Sequence, residues 1–225
     1  MSKTIAIIQA RCASTRFPLK IVAPLLHRPM LEHIVERVSR AKLLDGVVLA
    51  MPKTNADMIV AGKVVCKAYH WDIDENDLIR RLYHTATAEK ATFIVRVCAD
   101  CPCVEPEEID HLVKNISAYG DWRLLMNSEN PRESHDGFGG ELYTIEMLEC
   151  MDRALKEPIY REHPHEFWVF LNLFDYCGKP YRQGFRLDVN TPADYERIKD
   201  IYDHFGHNHF TVKEVIEYLD QKKDC

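Results

Sequence analysis

The 225-residue chain has no apolar run near the roughly 18–20 residues that a membrane-spanning helix needs. It also lacks an excess of positive charge, since 29 Lys and Arg stand against 35 Asp and Glu, a net charge of −6. As a whole such a chain is not built to hold nucleic acid or an acidic membrane. Internal repeats, low-complexity tracts and a Pro/Gly-rich linker are missing, so one domain over residues 1–225 is expected. The opening MSKTIAII turns strand-like too soon for a secretory signal. Cys98, Cys101 and Cys103 form a CxxCxC, but no second CxxC or suitably spaced His accompanies it. That excludes a strong zinc reading and leaves small apolar fillers at a strand end. The eight cysteines read as reduced thiols of a cytoplasmic protein rather than a disulfide framework.

Hydrophobic residues make up 46% of the chain, enough for a substantial core, and their spacing alternates between strand and helix periods. Thr4–Ile8, Val47–Ala50, Val64–Ala68, Thr92–Val97 and Gly184–Val189 read as strands. Leu31–Lys42, Asn55–Gly62, Asp77–Glu89, Pro106–Ile116, Ile145–Lys156, Pro192–Phe205 and Val212–Gln221 read as helices. The β–α alternation predicts an α/β fold with one mostly parallel sheet covered by helices, and places ligands at the carboxyl ends of the strands. From about Asp121 to Gly140 the chain turns polar and irregular, as a functional loop or lid does.

The first strand runs straight into a loop carrying Arg11, Ser14, Arg16 and Lys20. Three cations within ten residues repel one another unless a polyanion joins them, most simply a nucleoside triphosphate. Two further strand ends supply Asp100 and Asp188, the latter with Asn190 two residues on. Separated carboxylates facing a basic loop suit Mg²⁺, which takes hard oxygen ligands from one or two carboxylates and from phosphates. Taken singly, Asp188 could equally cap the helix that starts at Pro192, and Asp100 could open a turn before Pro102. His204, His207 and His209 read as an exposed turn, and Phe167, Trp168, Phe170 and Phe174 as core or a dimer face.

RCASTRFPLK resembles the R-x-G-S-x-R-x-P-G-K signature of the cytidylyltransferases, in particular the SpsF-like branch. Relatives include the CMP-sialic acid, CMP-pseudaminic acid and CMP-Kdo synthetases. The resemblance extends along the chain through ENDLIRRLYHTA, FIVRVCADCPCVEPEEID, HDGFGGELYTIEMLE, YREH and RLDVNTPADYERI. It implies a Rossmann-like nucleotidyltransferase fold of the GT-A type, a three-layer sandwich with a lid or acceptor region at about 121–183. It implies Mg²⁺-dependent transfer of CMP from CTP to a phosphorylated or acidic acceptor with release of pyrophosphate, in surface-polysaccharide or related glycoconjugate biosynthesis. The alternatives are a GT-A-type glycosyltransferase using a nucleotide-sugar and a non-catalytic nucleotide-binding homologue. Carried over by position, Arg11, Ser14, Arg16 and Lys20 hold the triphosphate, and Gln9 and Ala10 meet the pyrimidine. Arg96 faces nucleotide or acceptor, and Asp100, Asp188 and Asn190 hold Mg²⁺. Arg11, Lys20 and Asp100 form the catalytic set. Asp136, Glu141, Arg161 and His163 come from segments that line the acceptor pocket, with His165 a further candidate there. A homodimer is the implied assembly.

Three glycines of the pattern are replaced, by Ala13, Leu19 and Ala99, and Asn190 stands where the pattern has Asp. Leucine does not readily take a left-handed backbone, so the expectation is a shifted loop or a weaker grip on triphosphate. Asn190 is expected to reduce metal affinity, with Asp188 supplying a carboxylate on the same face.

Overall fold

Ile5 and Ile7 point to one side of the first strand and Ala6 and Ile8 to the other, and all four are fully buried. A strand apolar on both faces needs a helical layer on each, which is how parallel sheets are covered. The computed structural model describes residues 2–116, 122–127, 137–178 and 186–223. Its seven-stranded sheet runs in the order β5-β4-β1-β6-β8-β7-β9. These strands are β1 (Thr4–Gln9), β4 (Gly46–Pro52), β5 (Lys67–Trp71), β6 (Phe93–Cys98), β7 (Leu124–Met126), β8 (Glu141–Thr144) and β9 (Phe174–Tyr176). A two-stranded hairpin, β2 (Pro24–Leu25) and β3 (Arg28–Pro29), stands apart from the sheet.

Helices α1 (Met30–Val38), α2 (Asn55–Ala61), α4 (Pro106–Lys114), α8 (Pro192–Phe205) and α9 (Val212–Lys223) pack on the face of Ala6 and Ile8. Helices α3 (Leu78–Glu89), α5 (Ile145–Ala154) and α7 (Pro164–Phe170) cover the face of Ile5 and Ile7, and the short α6 (Pro158–Glu162) precedes α7. The result is the expected α/β/α sandwich. β5, β4, β1 and β6 are parallel, while β8 joins antiparallel to both β6 and β7. From β1 the chain winds outward to β4 and β5, then returns to β6 on β1's other side. That reversal opens a crevice beyond the carboxyl ends of β1 and β6.

Several boundaries differ from the sequence expectation. The strand expected at Val64–Ala68 lies at Lys67–Trp71, because Val64 closes the turn after α2 by donating to the Ala61 carbonyl at 3.2 Å. The first helix ends at Val38 rather than Lys42, where Ser39 Oγ donates back to the Val35 carbonyl. β7, β8 and β9 have three or four residues each, too few for a local period to register. Of the strand expected at Gly184–Val189, residues 184 and 185 lie outside the described residues. In the remainder, Arg186 makes a β-bridge and the Val189 N–H donates to the Asp100 carbonyl at 2.8 Å. Among the described residues no helix is long and apolar enough to cross a membrane.

Candidate active site

A cavity of about 450 Å³ occupies the crevice at the β1/β6 reversal. The loop after β1 supplies Arg11, Ser14, Arg16 and Lys20 to its wall, with Gln9 and Ala10 at the strand end. Asp57, at the third position of α2 and almost fully buried, fixes the start of this loop by accepting from the Cys12 N–H at 2.8 Å. Ser14 Oγ accepts from the Phe17 N–H, and the Leu19 N–H returns to the Cys12 carbonyl at 3.2 Å. Leu19 itself sits at φ 58°, ψ 21°, in the left-handed region. Leucine accepts that strain, half-exposed, and delivers Lys20 into a 3₁₀ turn on the cavity wall.

Each loop cation meets a partner across the cavity. Arg11 donates to Asn76 Oδ1 at 2.6 Å and reaches Glu162 at 3.1 Å. Arg16 donates to Asn190 Oδ1 at 2.8 Å. Lys20 Nζ lies 2.8 Å from Asp100 Oδ2 and 2.7 Å from the Val189 carbonyl. Arg186 brackets Asp188 at 3.0 and 3.1 Å, and the Asn190 amide N–H also donates to Asp188. Gly137, at φ 97°, passes close to the Asp188 backbone; a Cβ there would lie 2.2 Å from the Asp188 nitrogen.

Asp100, Asp188 and the Asn190 amide oxygen are hard oxygen donors brought to one wall by the Val189–Asp100 backbone hydrogen bond. Among the described residues no cluster of three His, Cys, Asp or Glu stands ready to cage a metal. Two carboxylates facing a basic loop are nevertheless the donor set that Mg²⁺ takes when phosphate oxygens complete its shell. The residues present fit such an ion.

A polar cluster centred on buried Arg96, Glu141 and Tyr143 crosses the strand ends of β1, β6 and β8. Arg96 donates to Gln9 Oε1 at 2.8 Å, to Cys98 Sγ at 3.3 Å and to Glu141, whose other oxygen accepts from Tyr143 Oη at 2.6 Å. Burial disfavours both charges, but their mutual attraction prevails, keeping the Glu141 carboxyl below its usual range and the Arg96 guanidinium above its own. Arg96 thus engages Gln9, Cys98 and Glu141 with three of its five N–H donors and still lines the cavity. His163 and His165 also face the cavity, the latter 3.4 Å from Glu141, and burial lowers the His163 imidazole. Arg161 does not line the cavity; it grips Asp77 and Asp152 at 2.6 and 2.7 Å, tying α6 to α3 and α5. Asp136 lies outside the described residues.

Four charged cavity residues were not picked from sequence: Glu75, Arg81, Glu162 and Arg186. The signal for Arg81 was present, since it stands at the arginine of the segment resembling D-V-L-x-R-Y. Elsewhere, Trp168 is core while Phe170 is exposed, and His207 and His209 lie at the surface as expected. All seven cysteines among the described residues are free thiols.

A family model described as cytidylyltransferase matches residues 5–223. The chain is 27% identical to the spore coat polysaccharide biosynthesis protein SpsF of Bacillus subtilis, covering 100% of this chain and 97% of that protein. A cytidylyltransferase structure from Leptospira borgpetersenii superposes with a TM-score of 0.88 at 27% identity, over 100% of this chain and 96% of that one. The structure of a CMP:2-keto-3-deoxy-manno-octonic acid synthetase complexed with CTP shares the fold, with a TM-score of 0.68 at 16% identity, over 90% and 99% of the two chains.

Proposed function

The chain belongs to the cytidylyltransferase family, as a nucleotidyltransferase of the SpsF-like branch, and on that premise we propose that it transfers CMP from CTP to a phosphorylated or acidic small-molecule acceptor in surface-polysaccharide or related glycoconjugate biosynthesis. The observation that carries this reading is the meeting of three loop cations with Asp100 and Asp188 around one cavity at the β1/β6 reversal.

Arg11, Ser14, Arg16 and Lys20 bind the triphosphate. In the free protein Arg11, Arg16 and Lys20 rest on Glu162, Asn76, Asn190 and Asp100, and phosphate oxygens replace those acceptors. The pyrimidine lies against Gln9 and Ala10. Asp100, Asp188 and Asn190 hold Mg²⁺, which supplies neutralising charge at the phosphates. The acceptor occupies the 121–183 side, near Glu141 and His163, with Asp136 from the same segment. An acceptor oxygen attacks the α-phosphorus in line; the new O–P bond forms as the bond to the β-phosphate oxygen breaks, and pyrophosphate leaves on the loop cations. Positioning and charge stabilisation carry such a transfer without a covalent enzyme intermediate.

Pyrophosphate release is to be assayed with CTP, UTP, ATP and GTP over a panel of phosphorylated and acidic sugars, polyols and phosphonates, with Mg²⁺. CTP with one acceptor class is expected to support turnover, and Asp100→Ala to abolish it while unfolding at an unchanged temperature. Near-normal turnover by Asp100→Ala would place the metal elsewhere. No pyrophosphate with any acceptor, despite CTP–Mg²⁺ binding, would sink the enzymatic reading.

A further inference from the structure

Of the CxxCxC at the end of β6, Cys98 and Cys101 line the cavity and Cys103 does not. The two cavity cysteines are the first and last residues of the turn that carries Asp100, closed by the Cys101 N–H donating to the Cys98 carbonyl at 3.2 Å. A hydrogen-bonded turn of four residues keeps its end Cα atoms within about 7 Å, and a disulfide takes them at about 4.4–6.8 Å. Rotation about the two Cα–Cβ bonds then brings the sulfurs together with little movement of the backbone.

The other cysteines among the described residues are placed differently. Cys12, Cys103 and Cys177 are buried off the cavity, and burial above all pushes each thiol up to about 12. Cys66 sits before β5 at the amino end of the sheet, and Cys150 is exposed on α5. Cys98 is half-buried, and its sulfur accepts from Arg96 Nη2 at 3.3 Å and from Gln9 Nε2 at 3.5 Å. Reactive cysteines occupy such partly open surroundings beside a cation. The Cys101 sulfur lies 3.7 Å from Asp100 Oδ1, and Asp100 in turn meets Lys20 Nζ at 2.8 Å. A cross-link over Asp100 therefore draws one sulfur off Gln9 and Arg96 and the other off the carboxylate, disturbing both walls of the cavity.

We infer that Cys98 and Cys101 are an oxidative modification site, at which a hydroperoxide forms a reversible disulfide that turns the cavity off. The Cys98 sulfur attacks one oxygen of hydrogen peroxide. The O–O bond breaks, the second oxygen leaves as water with the thiol proton, and Cys98 becomes a sulfenic acid. The Cys101 sulfur then displaces that hydroxyl, which departs as a second water with the Cys101 proton. The two thiols lose two electrons, and the peroxide is reduced to water. The disulfide stands on the geometry of the turn, and its effect on turnover rests on the CTP reading above.

Differential thiol labelling of the full chain tests it. Reduced protein is treated with hydrogen peroxide, denatured and labelled with light iodoacetamide, then reduced and labelled with heavy iodoacetamide. The tryptic peptide of residues 97–114 holds Cys98, Cys101 and Cys103. Its fragments should carry heavy label at Cys98 and Cys101 and light label at Cys103. Pyrophosphate release should fall in proportion to the heavy label, and dithiothreitol should restore it. Cys101→Ser should leave Cys98 as a sulfenic acid that dimedone captures, and Cys98→Ser should give neither product. Heavy label at Cys103, or Cys98 passing to the sulfinic acid without a disulfide, would overturn the inference; the wild type alone decides these if a variant does not fold. So would a complete Cys98–Cys101 disulfide that leaves turnover unchanged. An untreated chain that releases no pyrophosphate with any acceptor would instead remove the CTP reading, and the labelling would still decide the disulfide.

Discussion

Leu19 holds the phosphate loop in shape against its own preference. An L-residue in the left-handed region loses about 1–2 kcal/mol relative to the right-handed one, and Leu19 gains little burial in return because 49% of it is exposed. Leu19→Gly should therefore stabilise the fold by about 0.5–1 kcal/mol, glycine's greater unfolded-state entropy offsetting part of the relief. Thermal unfolding should show a rise of about 1–4 °C, whereas an unchanged or lower temperature would mean that the leucine contacts outweigh the strain. Asn190 illustrates a different compensation. Its amide accepts from Arg16 and donates to Asp188, a bridge that an aspartate cannot make with both neighbours. Asn190→Asp is expected to lower the Mg²⁺ concentration needed for half-maximal turnover several-fold, since it adds a carboxylate to the metal wall. A higher Mg²⁺ requirement would show that the bridge matters more than the charge.

At the scale of elements, Arg161 marks where a motif match and a spatial role part company. Its segment resembles R-E-H, but its guanidinium joins α6 to α3 and α5 through Asp77 and Asp152. Burial by itself would raise the Asp152 carboxyl; Arg161 and Arg80 outweigh it and hold that group below its ordinary value. Removing one partner of such a pair typically destabilises by about 3–5 kcal/mol when fully buried, and Arg161→Ala should lose about 2 kcal/mol because all three groups keep some solvent contact. Urea unfolding measures that loss. CTP affinity should change less than twofold, and a large loss of affinity at unchanged stability would return Arg161 to the site. Helices with an apolar period were legible in sequence, and in the fold Thr54, Asp77, Thr144 and Thr191 each cap the helix that follows. β7, β8 and β9 were not, because three or four residues carry too little periodicity and are selected by pairing partners far away in the chain. The site was legible where charges clustered locally, as in Arg11–Lys20. Glu162 was not, because its meaning depends on burial and on neighbours that only the fold supplies.

Across the whole molecule, the two ends of the parallel sheet divide the work. The carboxyl end holds the cavity, and the amino end holds a stabilising ion cluster in which Glu89 meets Lys3, Lys67 and Tyr69. Hydrogen bonds from Lys3 and Lys67, against the opposing effect of burial, lower the Glu89 carboxyl from 4.5 to about 2. A carboxyl depressed in the folded state contributes stability that is complete above its unfolded value and is lost as pH falls through its folded one. The contribution of Glu89 should thus be present at pH 5 and above and fade between pH 4.5 and about 2. Glu89→Gln should be less stable than the wild type at neutral pH and should lose stability less steeply across that interval. Parallel pH profiles for the two proteins would contradict this.

The central claim, that the β1/β6 cavity moves a cytidylyl group, is tested most directly by following phosphorus. With an acceptor that supports turnover, CTP labelled at the α-phosphorus should pass its label into the acceptor conjugate, while CTP labelled at the γ-phosphorus should release its label as pyrophosphate. Transfer of the γ-label to the acceptor, or release of a labelled nucleoside diphosphate, would contradict the account.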